Sequence, residues 1–427
     1  MYTTDSMQNK PLVVVFLTIF LDMLGFGILI PVIPQLFSNP HSHYFLLNDY
    51  GLTLRQGAYL VGLLTASYPI AQFFATPILG QLSDKYGRRP ILLISLAGTC
   101  VSYILFAYGL HIHSLALLFV SRIFDGLTGG NIAVAQAVIA DVSTRENRSK
   151  NFGIVGSAFA LGFILGPMIG GLLSSTDFSR FADVTTPFYF AALLSFINVM
   201  SVKYQLPETH THINTAFRLT PSVAARNIIK AFTMKSVTPL FITALLFQGG
   251  FTFYTSFAGV YLTQYFGFTE STIGFFFAYV GMWIIITQGF ILRKLPTSIP
   301  DHRIVRITIL IVGIALAIYP FVHTRWMLYV LVPFYAVPFS LTTPKLMGLI
   351  SRSVGPERQG EILGISSSVQ AVAQGIPPLI AGALAANFDP TASIVTASVL
   401  ILCAGGYFIL AYRPHAAPAN LTGPTAA

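Results

Sequence analysis

Charge is what this chain has least of. Lys, Arg, Asp and Glu make up 9% of its 427 residues, whereas a soluble domain carries about 25%. Water-soluble architectures are therefore excluded, and the chain reads as an integral membrane protein. Cysteine is nearly absent. Cys100 and Cys403 both lie in apolar runs, which excludes a disulfide framework and any thiolate metal site. The histidine pairs His41 and His43, His111 and His113, and His210 and His212 sit in loops or at their edges without a third ligand at useful spacing. No metal and no organic cofactor is expected. Nucleotide loops, nucleophile elbows and metalloprotease motifs are missing, so the chain is not expected to be an enzyme. A cleavable signal peptide is missing too. The first apolar run is too long, contains Asp22 and lacks a small-residue cleavage site.

What is there is long apolar runs. Hydrophobic residues make up 54% of the chain, and the mean hydropathy is +0.71. A spanning helix needs about 20 such residues. Twelve runs qualify, near 11–36, 57–79, 90–110, 115–139, 152–174, 187–206, 237–263, 271–292, 304–322, 326–348, 361–385 and 391–412. The expected fold is all-α, with twelve transmembrane helices in two six-helix bundles and both termini in the cytoplasm. The longest connection, 207–236, separates an N-terminal bundle (1–206) from a C-terminal one (237–427). Its stretch from Pro221 to Phe232 predicts a short basic surface helix.

Orientation follows from the basic residues. With both termini inside, all 24 Lys and Arg fall on the cytoplasmic side except Arg55, Arg180 and Arg325 outside and Arg122 within the membrane. This girdle accounts for the net charge of +9 without any nucleic-acid partner. An internal repeat supports the same division. At an offset of 211 residues, Glu146 falls on Glu357, Gly153 on Gly364, Pro167 on Pro378 and Gly171 on Gly382. Two related halves with a substrate site between them, near the midplane, are a common transporter plan.

Two acids do not sit in loops. Asp22 lies about ten residues into the first run, or ~15 Å deep at 1.5 Å per residue. Asp125 lies at a similar depth in the fourth run, with Arg122 three residues away on the same helix face. An ionised group at mid-membrane costs roughly 2.5–3.5 kcal/mol. Arg122 and Asp125 can satisfy each other as a structural ion pair. Asp22 has no base nearby in sequence, and taking up a proton would remove its charge, so it is the first candidate for a proton carrier. Helix seven places Phe247, Phe251, Tyr254 and Tyr261 on one face beside Gln248. Such a face suits a lipophilic or cationic substrate, or simply packs on neighbouring helices. Asn131, Gln136, Gln370 and Gln374 are cavity candidates because an amide facing lipid is costly.

One knot of charge interrupts the apolar pattern: GQLSDKYGRRP, from Gly80 to Pro90. It resembles the hallmark loop between helices two and three of the major facilitator superfamily, with Gly80, Leu82, Asp84, Gly87, Arg88 and Arg89 as its members. GFILGPMIGG, with Gly162, Gly166, Pro167, Gly170 and Gly171, resembles the helix-five antiporter motif. RIFDGLTGG, from Arg122 to Gly130, is similar to the helix-four motif whose arginine is linked to proton coupling. LDMLGFGILIPVIP, from Leu21 to Pro34, and ERQGEILG, from Glu357 to Gly364, resemble the tetracycline/proton antiporters. There are departures. Ser102 stands where those exporters carry an acid in helix three, their helix-nine acid and helix-eight histidine are missing, and Asp125 replaces a small or neutral residue. In the second half, QGFILRKLP keeps Gly289 but has Arg293 about where Asp84 would align.

The resemblance implies a monomeric, proton-coupled secondary transporter of the inner membrane. It would export a small amphiphilic drug or metabolite by alternating access. Coupling would rest on Asp22, Arg122 and Asp125. In the gating loop, Gly80 would let helix two pack closely, and Asp84 would latch the halves on the cytoplasmic side. In helix five, Gly162, Gly166 and Gly170 form one face for close backbone packing, and Pro167 would help seal the cavity. A nutrient-importing proton symporter, an exporter dedicated to an endogenous metabolite such as a siderophore, and a non-transporting scaffold or receptor are the alternatives.

Overall fold

The structure, a computed structural model, describes residues 4–42, 44–144, 147–175, 182–210, 223–234, 237–296, 298–355 and 358–413. Twelve helices are long and apolar enough to span a bilayer: α1 (Pro11–Phe37), α2 (Leu54–Tyr86), α3 (Arg88–His111), α4 (Leu115–Val142), α5 (Ser157–Ser174), α6 (Thr186–Gln205), α7 (Thr238–Phe266), α8 (Glu270–Lys294), α9 (Asp301–Phe321), α10 (Arg325–Arg352), α11 (Glu361–Asn387) and α12 (Pro390–Ala411). Each coincides with one expected run. No strand occurs among the described residues. The expected surface helix is Val223–Thr233, held to the start of α11 by Asn227 Nδ2 on the Gly364 carbonyl (3.3 Å) and by Lys230 on Glu361 (2.5 Å). Residues 211–222 and 235–236 of the central connection lie outside the described residues, as do Glu146 and Glu357 of the repeat.

An even number of spans brings both ends of the described chain to one face, here called the terminal face; the opposite face is the distal one. Among the described Lys and Arg that lie outside the membrane, only Arg55 and Arg325 are on the distal face.

Within the first half, α1 packs on α5, α3 on α6, and α2 and α3 on α4. Within the second, α7 packs on α11 and α12, and α9 on α10 and α12. Small residues permit the closest approaches. Gly162, Gly166 and Gly170 do form one face, and it lies on α1. A Cβ added at Gly162 would stand 2.6 Å from the Phe20 carbonyl oxygen, one at Gly166 2.6 Å from that of Leu24, and one at Gly170 2.7 Å from that of Ile28. Pro167 sets its ring on Gly27 of the same α1, while its carbonyl and Gly171 look elsewhere. Gly171 lies against Gly274 and the Pro167 carbonyl against that same glycine, both on α8 of the second half.

The halves therefore touch along α5–α8. They touch again along α2–α11, where Gly62 meets the Pro378 carbonyl and Gly382. Arg55 and Tyr59 both hydrogen-bond Asn387 at the distal end of this second seam. The picture reverses at the other end of the same helices. A Cβ at Gly80 on α2, or at Gly289 on α8, would meet nothing within 4 Å. Gly62 and Gly80 are ~27 Å apart along one helix, so α2 is clamped to the second half distally while its Gly80 position is uncovered terminally. The expectation that Gly80 packs closely on a neighbour does not hold in this conformation, because the halves have parted there.

Candidate functional site

Helix α4 is not continuous. It consists of Leu115–Thr128 and Asn131–Val142, broken at Gly129 and Gly130. Those glycines lie against Tyr68 and Thr76 of α2, so the break falls within the stretch of α4 that packs on α2. Arg122 and Asp125 close the first piece, and Asn131 opens the second.

The break builds a buried polar cluster. Arg122 Nη1 is 3.0 Å from Asp125 Oδ2 on the same helix, with both side chains almost fully buried. The guanidinium also lies over the Tyr68 ring, 5.0 Å from its centroid. Asp22, 5% exposed, comes from α1, and its Oδ1 accepts a hydrogen bond from Asn131 Nδ2 at 2.9 Å. Its Oδ2 is buried with no hydrogen-bond partner. Asp125 is near enough for its charge to act on Asp22, and Tyr68 and Tyr103 face both acids. The Tyr103 hydroxyl rests on Gly25, where any side chain would displace it. Gln72 ties Tyr68 to the broken helix, donating to the Tyr68 hydroxyl (3.0 Å) and to the Gly129 carbonyl (2.7 Å). Arg122 thus holds an ion pair, while Asp22 holds a single neutral donor in a site surrounded by protein.

The hallmark loop is knotted inside the first half. Arg88 binds Asp84 (2.5 Å), Asp141 at the end of α4 (3.1 Å) and the Ser83 hydroxyl (2.6 Å). Glu208, just beyond α6, caps α3 by accepting from the backbone N–H of Arg88 (2.8 Å) and Arg89 (3.1 Å). Its carboxylate sits over Gly87, whose φ of +98° suits glycine. Arg89 reaches the Lys203 carbonyl, and Leu82 packs into the adjoining apolar cluster. Asp84, with its side chain 51% exposed, pairs with Arg88 and not across the halves. The expected inter-half latch is not made in this conformation, because Arg88 of the same half takes the Asp84 carboxylate.

The cavity candidates divide. Gln248 shares a face with Gly259, which packs on Pro34 of α1, so it looks toward the opposite half. Gln370 is exposed and Gln374 half-buried. Both lie on the arc of α11 between its α2 and α7 contacts, away from the outer face marked by Ile376 and Ile380. Gln136 is half-buried, on the side of its helix away from buried Val134, Ala135 and Val138. Three candidates are corrected. Asn131, fully buried, serves Asp22 and faces no opening. Phe251 stacks on Phe339 of α10 with ring centroids 3.7 Å apart. The Tyr254 hydroxyl is bonded to those of Tyr319 (2.7 Å) and Tyr335 (2.9 Å) inside the second half. Aromatic side chains at helical spacing packed against their own bundle here.

Sequence reasoning missed Tyr68, Gln72 and Tyr103, whose polar tips in apolar runs were the available signal. It also missed Glu208, an acid at the exit of α6. The π-helical turn Thr287–Ile291 in α8, next to Gly289, had no signal beyond that glycine.

Two six-helix groups that meet on one face, part on the other and enclose buried acids near mid-membrane define the architecture of a secondary transporter. The comparisons with known proteins agree. The chain belongs to the Major Facilitator Superfamily, whose profile matches residues 15–378. It is 31% identical over 379 residues to the class H tetracycline resistance protein of Pasteurella multocida, covering 87% of this chain and 88% of that one. It is 28% identical to the quinolone resistance protein NorA of Staphylococcus aureus, over 88% and 90% of the two chains. Among solved structures, the human organic anion transporter MFSD10 (TETRAN) superposes with a TM-score of 0.72 at 23% identity, covering 94% of this chain and 99% of that one. The D-xylose-proton symporter superposes with a TM-score of 0.74 at 15% identity, over 93% and 96% of the chains. This is a multi-pass membrane transporter and not an enzyme.

Proposed function

We propose that the protein is a monomeric proton-coupled antiporter of the inner membrane, exporting a small amphiphilic compound from the cytoplasm. The observation that carries this reading is Asp22, a buried acid with one neutral partner, beside an ion-paired Arg122 and Asp125. The terminal face, with its excess of Lys and Arg, is taken as cytoplasmic, which makes the described conformation inward-open. The halves 1–206 and 237–427 move as bodies about the seams, with 207–236 connecting them.

In the proposed cycle Asp22 takes a proton from the distal side as substrate leaves. The halves rock, the distal seams close, and the proton is released inside as the next substrate enters through the terminal opening. Gln136, Gln248, Gln370 and Gln374 offer amides to the polar end of the substrate. Apolar faces of the cavity take the rest. One charge crossing 100 mV is worth about 2.3 kcal/mol, enough to drive accumulation. One feature of the resemblance, the glycine motif of α5, favours export over import.

The test is reconstitution into vesicles under an imposed pH gradient, with tetracycline and a fluoroquinolone as first probes. Accumulation should follow the gradient and vanish in Asp22→Asn. Transport that ignores the gradient, or that survives the substitution unchanged, sinks the proposal. Vesicles of both orientations read the direction.

A further inference from the structure

Two buried oxygens on hydrogen-bonded neighbours have no hydrogen-bond partner: Asp22 Oδ2 and Asn131 Oδ1. They belong to the two residues already joined by the Asn131 Nδ2 to Asp22 Oδ1 bond of 2.9 Å. Both are acceptors, so while Asp22 is ionised neither can satisfy the other, and buried acceptors without donors are costly. A proton added at Asp22 Oδ2 turns that oxygen into a donor. With a small rotation of the two side chains, its O–H can reach Asn131 Oδ1 while the existing bond persists. Acid and amide then form a closed pair with two hydrogen bonds and no orphan.

We infer that Asn131 is a positioning residue that reads the protonation state of Asp22, making one hydrogen bond to the carboxylate and two to the acid. The inference rests on the reading of Asp22 as the proton carrier. The other groups facing Asp22 do not offer this pairing. Asp125 and Arg122 of α4 are paired with each other, and Tyr68 of α2 and Tyr103 of α3 present phenols. Placement gives the pair a consequence. Asn131 opens the second piece of α4 directly after the break at Gly129 and Gly130, so α1 holds the first residue of a separate short helix. That helix carries Gln136 on the side away from its buried residues. Protonation at Asp22 is thereby felt at a residue proposed to touch substrate.

Infrared difference spectroscopy of the reconstituted full chain, titrated with acid and no other ligand, tests this. The acid C=O band that disappears in Asp22→Asn belongs to Asp22. In the unaltered protein it should lie at the low wavenumber of a strongly hydrogen-bonded acid. In Asn131→Leu it should move up, and Asn131→Gln should bring it back. Should the leucine variant not fold, Asn131→Ser, which offers a single oxygen, should give an intermediate position. A band assigned to Asp22 that stays put in Asn131→Leu, or in Asn131→Ser, overturns the inference while leaving the proton carrier intact. Failure to find any Asp22 band overturns the proton-carrier reading and this inference with it.

Discussion

Gly62 and Gly382 lie backbone to backbone across the two halves, so that a Cβ on Gly62 would stand 3.0 Å from the Cα of Gly382 and 2.5 Å from the Pro378 carbonyl oxygen. The same contact recurs between Gly274 and Gly171, with Pro167 in the place of Pro378. Pro167 with Pro378 and Gly171 with Gly382 are the pairs related by the internal repeat. The distal seams are therefore one contact used twice, once on each side of the transporter.

Filling a seam should hold the distal face open. Gly62→Val or Gly382→Val, in a background where Cys100 and Cys403 are replaced by Ser, should raise the rate at which a membrane-impermeant thiol reagent labels Asn387→Cys. Gly406→Ala, where an added Cβ meets nothing within 4 Å, is the control. Equal labelling in all three would show that the seams do not set the distal closure.

Breaking the ion pair should destabilise the fold more than removing it. Arg122→Ala leaves Asp125 charged and buried, a loss of about 3–5 kcal/mol. The double replacement of Arg122 by Met and Asp125 by Leu should recover most of it. Thermal unfolding in detergent measures both, and the double variant should still lose gradient-driven transport.

Tyr254 should matter to stability and not to recognition. Tyr254→Phe strips the hydroxyl that joins those of Tyr319 and Tyr335, at a cost of about 1–3 kcal/mol. The KM for a transported probe should not change. A raised KM with normal stability would return Tyr254 to the cavity.

Asp183, just before α6, supplies a pH dependence that can be read outside the membrane. Burial pushes its carboxyl up, but hydrogen bonds from the hydroxyls and N–H groups of Thr185 and Thr186, all to Oδ1 at 2.6–3.0 Å, outweigh that and hold it below the usual carboxylate range. A depressed folded value means the stabilisation is complete above the unfolded pKa and is lost as pH falls through the folded one. Asp183→Ala should cost about 1 kcal/mol at neutral pH, as the loss of a helix-start cap does. The difference from the unaltered protein should shrink in acid below pH ~4. A difference that is constant down to strong acid would rule this out.

How much of this was legible beforehand depends on range. Span positions followed from apolar length alone, since each helix satisfies its own backbone. The Arg122–Asp125 pair was legible because its partners are three residues apart on one helix. The Asp22–Asn131 bond was not, because it joins helices distant in sequence, and an amide in an apolar run reads equally well as a ligand group. The GxxxG face of α5 announced a close contact, but whether Gly171 belonged to it or to another surface depended on which helix approached. Tyr254 misled for the same reason: periodicity locates a face without saying what lies opposite. Gly80 was misread because sequence is silent about which of two conformations is populated.

Where the two halves come closest, the distal seams are built from glycine Cα atoms and backbone carbonyls, with the side chains Arg55, Tyr59 and Asn387 confined to the rim of one of them. Such a surface gives the same answer in acid and in base, in resting and in stressed cells. If closure is chemically deaf, the decision to close must be made elsewhere, and the polar cluster around Asp22 is where the described chain keeps ionisable groups at depth. Motor and hinge are then separate inheritances. The cluster is free to change its coupling ion or its substrate without re-engineering the joint on which the halves turn.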